Sequence, residues 1–336
     1  MKRRVEIMVK ITVETREKVG TIYTMTNENG VQLSTIAHGA RLYECLIPVD
    51  GTKRDIVVGY ESLVDHQRTR YYGATIGPIA GRIAQSHFEL EGKTYHTEPN
   101  EKGNTLHGGS HSFDTKEWAA TPFQTEEEAG VAFSYETVDG EGGFPGNIKV
   151  TVTYALNEEN AFRITYEATS DQPTILNLTN HGYFNLTGEA SQAIDEHYLM
   201  VDADYVAETQ EDTTTTGEKI DVTKTVFDFT NEKQIGETFL DTPFILNHAL
   251  EEDLRLVSPD RKVTLAVKTT EPGIVLYTTG AGEAGEVMKT GTLVHHGSIA
   301  IEAQGIPGTE KYPQFGSFIV NAATPYHAET VYHLTF

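Results

Sequence analysis

The chain has 336 residues, with 26 Lys and Arg against 49 Asp and Glu, a net charge of −23 with histidine neutral. Such an acidic chain repels polyanions, which excludes nucleic acid and anionic membrane surfaces as expected partners, and it holds no run of about 18 apolar residues that would span a bilayer. Cys45 is the only cysteine, so no internal disulfide forms, and a reducing, cytoplasmic setting is expected.

In chain order, the basic start MKRRVEIMVKITVETREK is broken by charges before any apolar run of an export signal develops. Residues 1–7, ahead of the second candidate start Met8, are expected as either an upstream start or an unpaired tail on a single domain spanning 1–336. TIYTMTNENGVQLSTIA carries two strand-like runs around Asn29-Gly30, and HFELEGKTYHTE repeats the form around Glu91-Gly92-Lys93, both hairpin signals. Between them SLVDHQRTRYYG reads as one or two capped helical turns. Three further runs, Val131 to Glu136, Asn147 to Leu156 and Ala161 to Ala168, alternate with period two. KVTLAVKT, GIVLYTT, GSIAIEAQ and AETVYHLTF continue the series, and EKQIG within NEKQIGETF is the second helical candidate. No linker, composition shift or repeat divides the chain. The pattern predicts an all-β fold, a large antiparallel β-sandwich with a few short helices.

Several segments carry chemistry. Alternation along ILNLTNHGYFNL places Leu176, Leu178, Phe184 and Leu186 on one face and Asn177, Thr179, His181 and Tyr183 on the other. In GSIAIEAQG the same rule puts Glu302 on a face with Ser298, Ala300 and Gln304. YYGATIGPIAGRIAQ presents Arg82 after three spaced glycines, with no G-K-[ST] of a phosphate loop. His107 and His111 have the spacing of a helical metal pair, but Gly108 and Gly109 between them argue against the helix, so a metal site is not expected. Gly280, Gly282 and Gly285 match G-x-G-x-x-G, yet the segment after Gly285, EVMKTGTLVHHG, lacks the amphipathic helix a dinucleotide site needs.

GATIGPIAGRIA, GNTLHGG, GEGGFPGN, NLTNHGYFNL, FLDTPFIL and IEAQGIPG, in this order from about Gly73 to the C-terminus, resemble the aldose 1-epimerase (galactose mutarotase) family. The resemblance implies a β-supersandwich with a sugar cleft and no metal or cofactor. It implies that His181 is the acid acting on the ring oxygen and Glu302 the base acting on the anomeric hydroxyl. It places sugar contacts on Arg82, His107 and Asp241, and Tyr183 joins them as a cleft residue. The sequence departs from the family at Gly81, where Asn is common, at Pro78, where an extra Arg is common, and at Gly182, where Ser is frequent. Thr242 replaces a usual His, and Val275 a Gln that touches sugar. An alternative alignment would move the Asp241 motif onto Asn247-His248.

The implied activity is interconversion of α and β anomers of free aldohexoses such as galactose and glucose, a small-molecule sugar being the partner. At ordinary values of about 4.3 for Glu and 6.5 for His, the pair supplies an ionised base and an accessible acid at neutral pH. The readings competing with it are a glycoside hydrolase using Glu302 and Asp241, a non-catalytic carbohydrate-binding protein, and a family member preferring maltose.

Overall fold

The computed structural model describes residues 9–336, so the tail expected at 1–7 lies outside the described residues. The predicted runs become strands almost one for one. Val131 to Glu136, Asn147 to Leu156 and Ala161 to Ala168 fall in Glu128–Glu136, Ile148–Asn157 and Ala161–Ser170, three neighbours in a nine-stranded antiparallel sheet. Their alternation is explained by burial: Val150, Val152 and Tyr154 point to the core, and Lys149, Thr151 and Thr153 point outward. The sheet continues through the C-terminal Tyr326–Thr335 and then Thr264–Thr269, Leu254–Val257, Tyr198–Val201 and Lys233–Gln234.

A seven-stranded antiparallel sheet carries the rest of the chemistry-bearing segments. Its order is Thr215–Asp221, Tyr205–Thr209, Asp241–Ile245, Gly273–Thr278, Ile299–Gln304, Gly182–Phe184 and Val57–Val58. One face of this sheet, with Phe184, Phe244, Ile274, Leu276, Ile299 and Ile301, packs in the same hydrophobic cluster as Ile164, Val267 and Tyr332 of the nine-stranded sheet. The rings of Phe184 and Tyr332 meet at 5.9 Å across that layer. A third, five-stranded sheet holds the N-terminal hairpin, Gly20–Thr26 pairing with Gln32–Ile36 around Asn29-Gly30. The second expected hairpin joins His87–Leu90 to Lys93–His96, with Glu91 and Gly92 at φ 51° and 76°, the conformation that a two-residue type I′ turn requires.

The helix expected in SLVDHQRTRYYG is Leu63–Arg68, capped by the Ser62 hydroxyl accepting from the Asp65 N–H at 3.2 Å. EKQIG is not helical. Lys233–Gln234 instead pairs with Tyr198 and Leu199 at the end of the nine-stranded sheet, where an open edge offers hydrogen bonds that a five-residue helix could not match. ILNLTNHGYFNL also differs from a single strand. It divides into pieces that pair in turn with Ile319–Val320, Thr75–Ile76, and both Ile299–Gln304 and Val57–Val58, and every residue from 175 to 186 is buried. Among the described residues no helix is long and apolar enough to cross a membrane.

Candidate active site

The face of the seven-stranded sheet turned away from the core is the floor of a cleft of about 490 Å³, within the range of small-ligand sites. Ile299–Gln304 sends Ile299, Ile301 and Ala303 into the core, and strand alternation therefore turns Glu302 and Gln304 into the cleft. Its neighbour Gly273–Thr278 aligns Val275 with Glu302 and Tyr277 with Ala300. One strand further, Pro243 aligns with Val275 and Asp241 with Tyr277. Arg82, His107, His181, Tyr183, Asp241 and Glu302 all line this one cleft.

His181 sits at the break between Thr179–Asn180 and Gly182–Phe184. Its backbone is tied on both sides, the N–H donating to Ala74 O and the carbonyl accepting from Gly73 N–H, each at 2.8 Å. Its ring stacks on Tyr183 (4.9 Å between centroids, 21° between planes) and on Tyr71 (5.7 Å, 16°), and meets His107 edge-on at 5.3 Å. Tyr183 stacks in turn on Tyr72 at 4.1 Å. The imidazole is thus oriented by packing, with Nε2 3.4 Å from Glu302 Oε1. His181 Nδ1 and Glu302 Oε2 have no protein partner, which leaves both groups capacity for a ligand.

Burial moves the two groups in opposite directions. It lowers His181 to about 3, with a smaller push from the Arg41 charge, and raises Glu302 to about 8, with Asp241 adding to the rise and Arg82 opposing it. The expectation of an ionised Glu beside a His near its ordinary value is therefore corrected. Across the neutral range the pair holds one proton between two buried groups and carries no net charge.

Arg82 and His107 come from two short strands, Arg82–Ile83 and Thr105–Leu106, that pair with each other. Gly81 N–H donates to His107 Nδ1 at 3.2 Å and His107 N–H donates to Gly81 O at 2.9 Å. The first of these bonds places the proton of the neutral ring on Nε2, and burial, with the charges of Arg82 and Arg70, holds His107 well below its ordinary value. Arg82 donates to both oxygens of Glu101 (2.5 and 3.3 Å) and lies 3.5 Å from Asp241 Oδ2. Burial raises Asp241, and Arg82 opposes that rise.

Three family departures have local causes. Gly81 has φ +79° and a Cβ there would lie 2.9 Å from the Pro307 ring, so this backbone path excludes Asn. A Cβ at Gly182 would lie 2.9 Å from Asn180 Oδ1 and 3.1 Å from the Phe184 ring. Thr242 is absent from the cleft lining because alternation along Asp241–Ile245 turns Asp241 and Pro243 to the cleft and Thr242 to the other side. The alternative alignment fails in space: Asn247 bonds Asp202 and His248 bonds Asp253, and neither lines the cleft.

The cleft also contains residues that no sequence motif singled out. Tyr71 and Glu101 are two. Gln304 accepts from Asn177 Nδ2 at 3.2 Å, so Asn177, expected on the ligand face, spans between strands. Glu283 comes from the glycine-rich loop that matches a dinucleotide fingerprint in letters alone, a loop that is indeed non-helical. His111, on a separate short turn, does not line the cleft. His107, His181 and Glu302 bring their ligand-type atoms within 4.8 Å of one another, a donor set of two imidazoles and a carboxylate.

The aldose 1-epimerase family model matches residues 21–333. An aldose 1-epimerase of Haemophilus influenzae is 35% identical over 88% of this chain and 90% of its own length, and human galactose mutarotase is 33% identical over 83% and 84%. A maltose epimerase of Levilactobacillus brevis is 29% identical over 93% and 94%. The crystal structure of an aldose epimerase homologue from C. elegans superposes with a TM-score of 0.85 at 27% identity, covering 97% of this chain and 99% of that one. The chain belongs to the aldose 1-epimerase family of isomerases.

Proposed function

We propose that the cleft interconverts the α and β anomers of free aldohexoses such as galactose and glucose. The observation that carries this reading is the His181–Glu302 contact of 3.4 Å, buried in the floor of a sugar-sized cleft. Opening the ring removes the proton from the C1 hydroxyl, forms the C1 carbonyl, breaks the bond from C1 to the ring oxygen and places a proton on that oxygen. Rotation about C1–C2 and the reverse transfers close the ring as the other anomer. One group must hold a proton while the other is free to take one, and the pair's count of a single proton meets that need.

A sugar hydroxyl donating to Glu302 favours its carboxylate and moves the pair's proton to His181. Glu302 then takes the C1 proton and His181 delivers to the ring oxygen. Arg82 and the Nε2–H of His107 donate to sugar oxygens, and Asp241 accepts from a hydroxyl. Tyr183 bounds the cleft and backs the His181 ring. Orientation of the sugar between acid and base supplies the remaining advantage over water. The single buried thiol, Cys45, suits the reducing cytoplasm proposed as the protein's setting.

The test is polarimetry of freshly dissolved α-D-galactose and α-D-glucose. The rotation should reach its equilibrium value faster with protein present, and a disaccharide should release no new reducing ends. Release of reducing ends without faster mutarotation would favour hydrolysis through Glu302 and Asp241. The 29% identity to a maltose epimerase keeps aldoses larger than one ring within this reading.

A further inference from the structure

We infer that Arg41, enclosed beneath the cleft and in contact with none of the reacting groups, is a positioning residue for the acid/base pair: its guanidinium brackets Tyr71 and so fixes the ring on which the His181 imidazole stacks. This rests on the mutarotase reading and extends it from the groups that move protons to what holds one of them in line.

Arg41 is 0% exposed, an uncommon place for a cation. Burial lowers it only to about 10, so it stays charged at neutral pH. Among the described residues no carboxylate bonds it directly. The Asp114 carboxylate is committed to Arg70, whose Nε and Nη2 donate to it at 2.7 and 3.0 Å. Arg41 reaches only the Asp114 carbonyl, with Nη2 at 3.5 Å, and its Nε has no protein partner. A buried charge without a directly paired carboxylate destabilises a fold relative to an apolar side chain of similar volume, so packing alone does not account for Arg41.

What the guanidinium does hold is the backbone on either side of Tyr71. One nitrogen, Nη1, donates to the Arg70 carbonyl at 2.9 Å and to the Tyr72 carbonyl. Gly73 lets the two segments pass this closely: its φ is +72°, and a Cβ there would lie 2.0 Å from Leu42 O and 3.3 Å from Arg41 Cγ. The next bonds lead to the acid, since Leu42 N–H donates to Gly73 O and Gly73 N–H to His181 O, each at 2.8 Å. The Tyr71 ring, carried between the two bracketed carbonyls, stacks within 16° of parallel on His181 and meets His107 edge-on. A turn of this segment would tilt that ring, and with it the imidazole whose Nε2 lies 3.4 Å from Glu302 Oε1. Misalignment of an acid and a base costs rate. The proposed sugar contacts Arg82 and Asp241 stand on other strands, Arg82–Ile83 and Asp241–Ile245, so binding should be spared.

The test is a double-mutant cycle read by polarimetry of α-D-glucose, with Arg41→Met alone and combined with Tyr71→Ala. Arg41→Met should lower kcat about tenfold, on the scale of one aromatic contact, and move KM by less than about twofold. In the Tyr71→Ala background the same substitution should change kcat by less than about twofold, because the ring it acts through is gone. Arg41→Lys, whose ammonium can serve both carbonyls from one nitrogen, should recover most of kcat. Should circular dichroism show Arg41→Met unfolded, Arg41→Gln, polar but shorter than the bracket requires, takes its place in the cycle. Equal losses in the two backgrounds, a loss confined to KM, no loss at all, or an Arg41→Lys variant as slow as Arg41→Met would overturn the inference and leave the mutarotase reading standing. A wild-type protein that does not mutarotate glucose would overturn both.

Discussion

His181 Nε2 lies 3.4 Å from Glu302 Oε1, with both side chains almost wholly removed from solvent. The consequence is a pH profile. With Glu302 at about 8 and His181 at about 3, the pair carries one proton between those values, two below and none above. The rate of mutarotation at low sugar concentration should therefore be flat through the neutral range and fall as pH rises through about 8, where the last transferable proton is lost. A profile that instead fell as pH rose through about 6.5 would point to a solvent-like histidine.

Asp241 should influence this profile as well as affinity. Its charge contributes to the high proton affinity of Glu302, so Asp241→Asn should move the alkaline limb to lower pH. Exchange of a charged acceptor for a neutral amide should also lower kcat/KM about tenfold. Polarimetry across pH reads both effects, and an unmoved limb would separate Asp241 from the acid/base pair.

Tyr71 should matter through its ring, which stacks on His181 and meets His107 edge-on at 4.8 Å. Tyr71→Phe keeps both contacts and should remain near wild type. Tyr71→Ala should lose about tenfold in kcat, on the scale of an aromatic contact beyond area burial. Equal losses in the two variants would give the role to the hydroxyl.

Stability should carry the mark of the buried carboxyl. The folded value of Glu302 is raised to about 8 from an ordinary 4.5. Its contribution to stability is therefore fully present below about 4.5 and is lost as pH rises through about 8. Glu302→Gln, which cannot ionise, should melt above wild type at pH 8 and lose much of that advantage at about pH 5. Thermal melts at both values decide it, and an equal difference at both would contradict the assigned shift.

The proposed mechanism passes protons between His181 and Glu302, while with His107 these residues also form a metal-type donor set. Dialysis against EDTA should leave mutarotation unchanged. Loss of activity restored by a divalent ion would reassign the three residues.

The fold was legible wherever a strand has one face in the core and one outside, because alternation then appears directly in sequence, as in Ile148–Asn157. It was obscured where both faces are covered, as in residues 175–186, and at Lys233–Gln234, where two residues complete a sheet edge against their local composition. His181 and Glu302 both line the cleft, Glu302 on the strand face that alternation assigns it and His181 at a break between two short strands. Tyr71, Glu101, Phe239 and Glu283 were not legible, since their placement depends on loop paths and pairings that no local period encodes. Thr242 had the reverse problem: it looked like a loss to the site, and the pleat turns it away from the cleft.

The central claim is that His181 and Glu302 perform the proton transfers. Its most direct test is polarimetry of α-D-galactose with His181→Asn and Glu302→Gln separately, at equal protein concentration and with circular dichroism confirming an unchanged fold. Each variant should lose about 10² to 10⁴ in the catalysed rate, the usual worth of one positioned proton-transfer group. A folded variant of either kind that works within a few-fold of wild type would contradict the account.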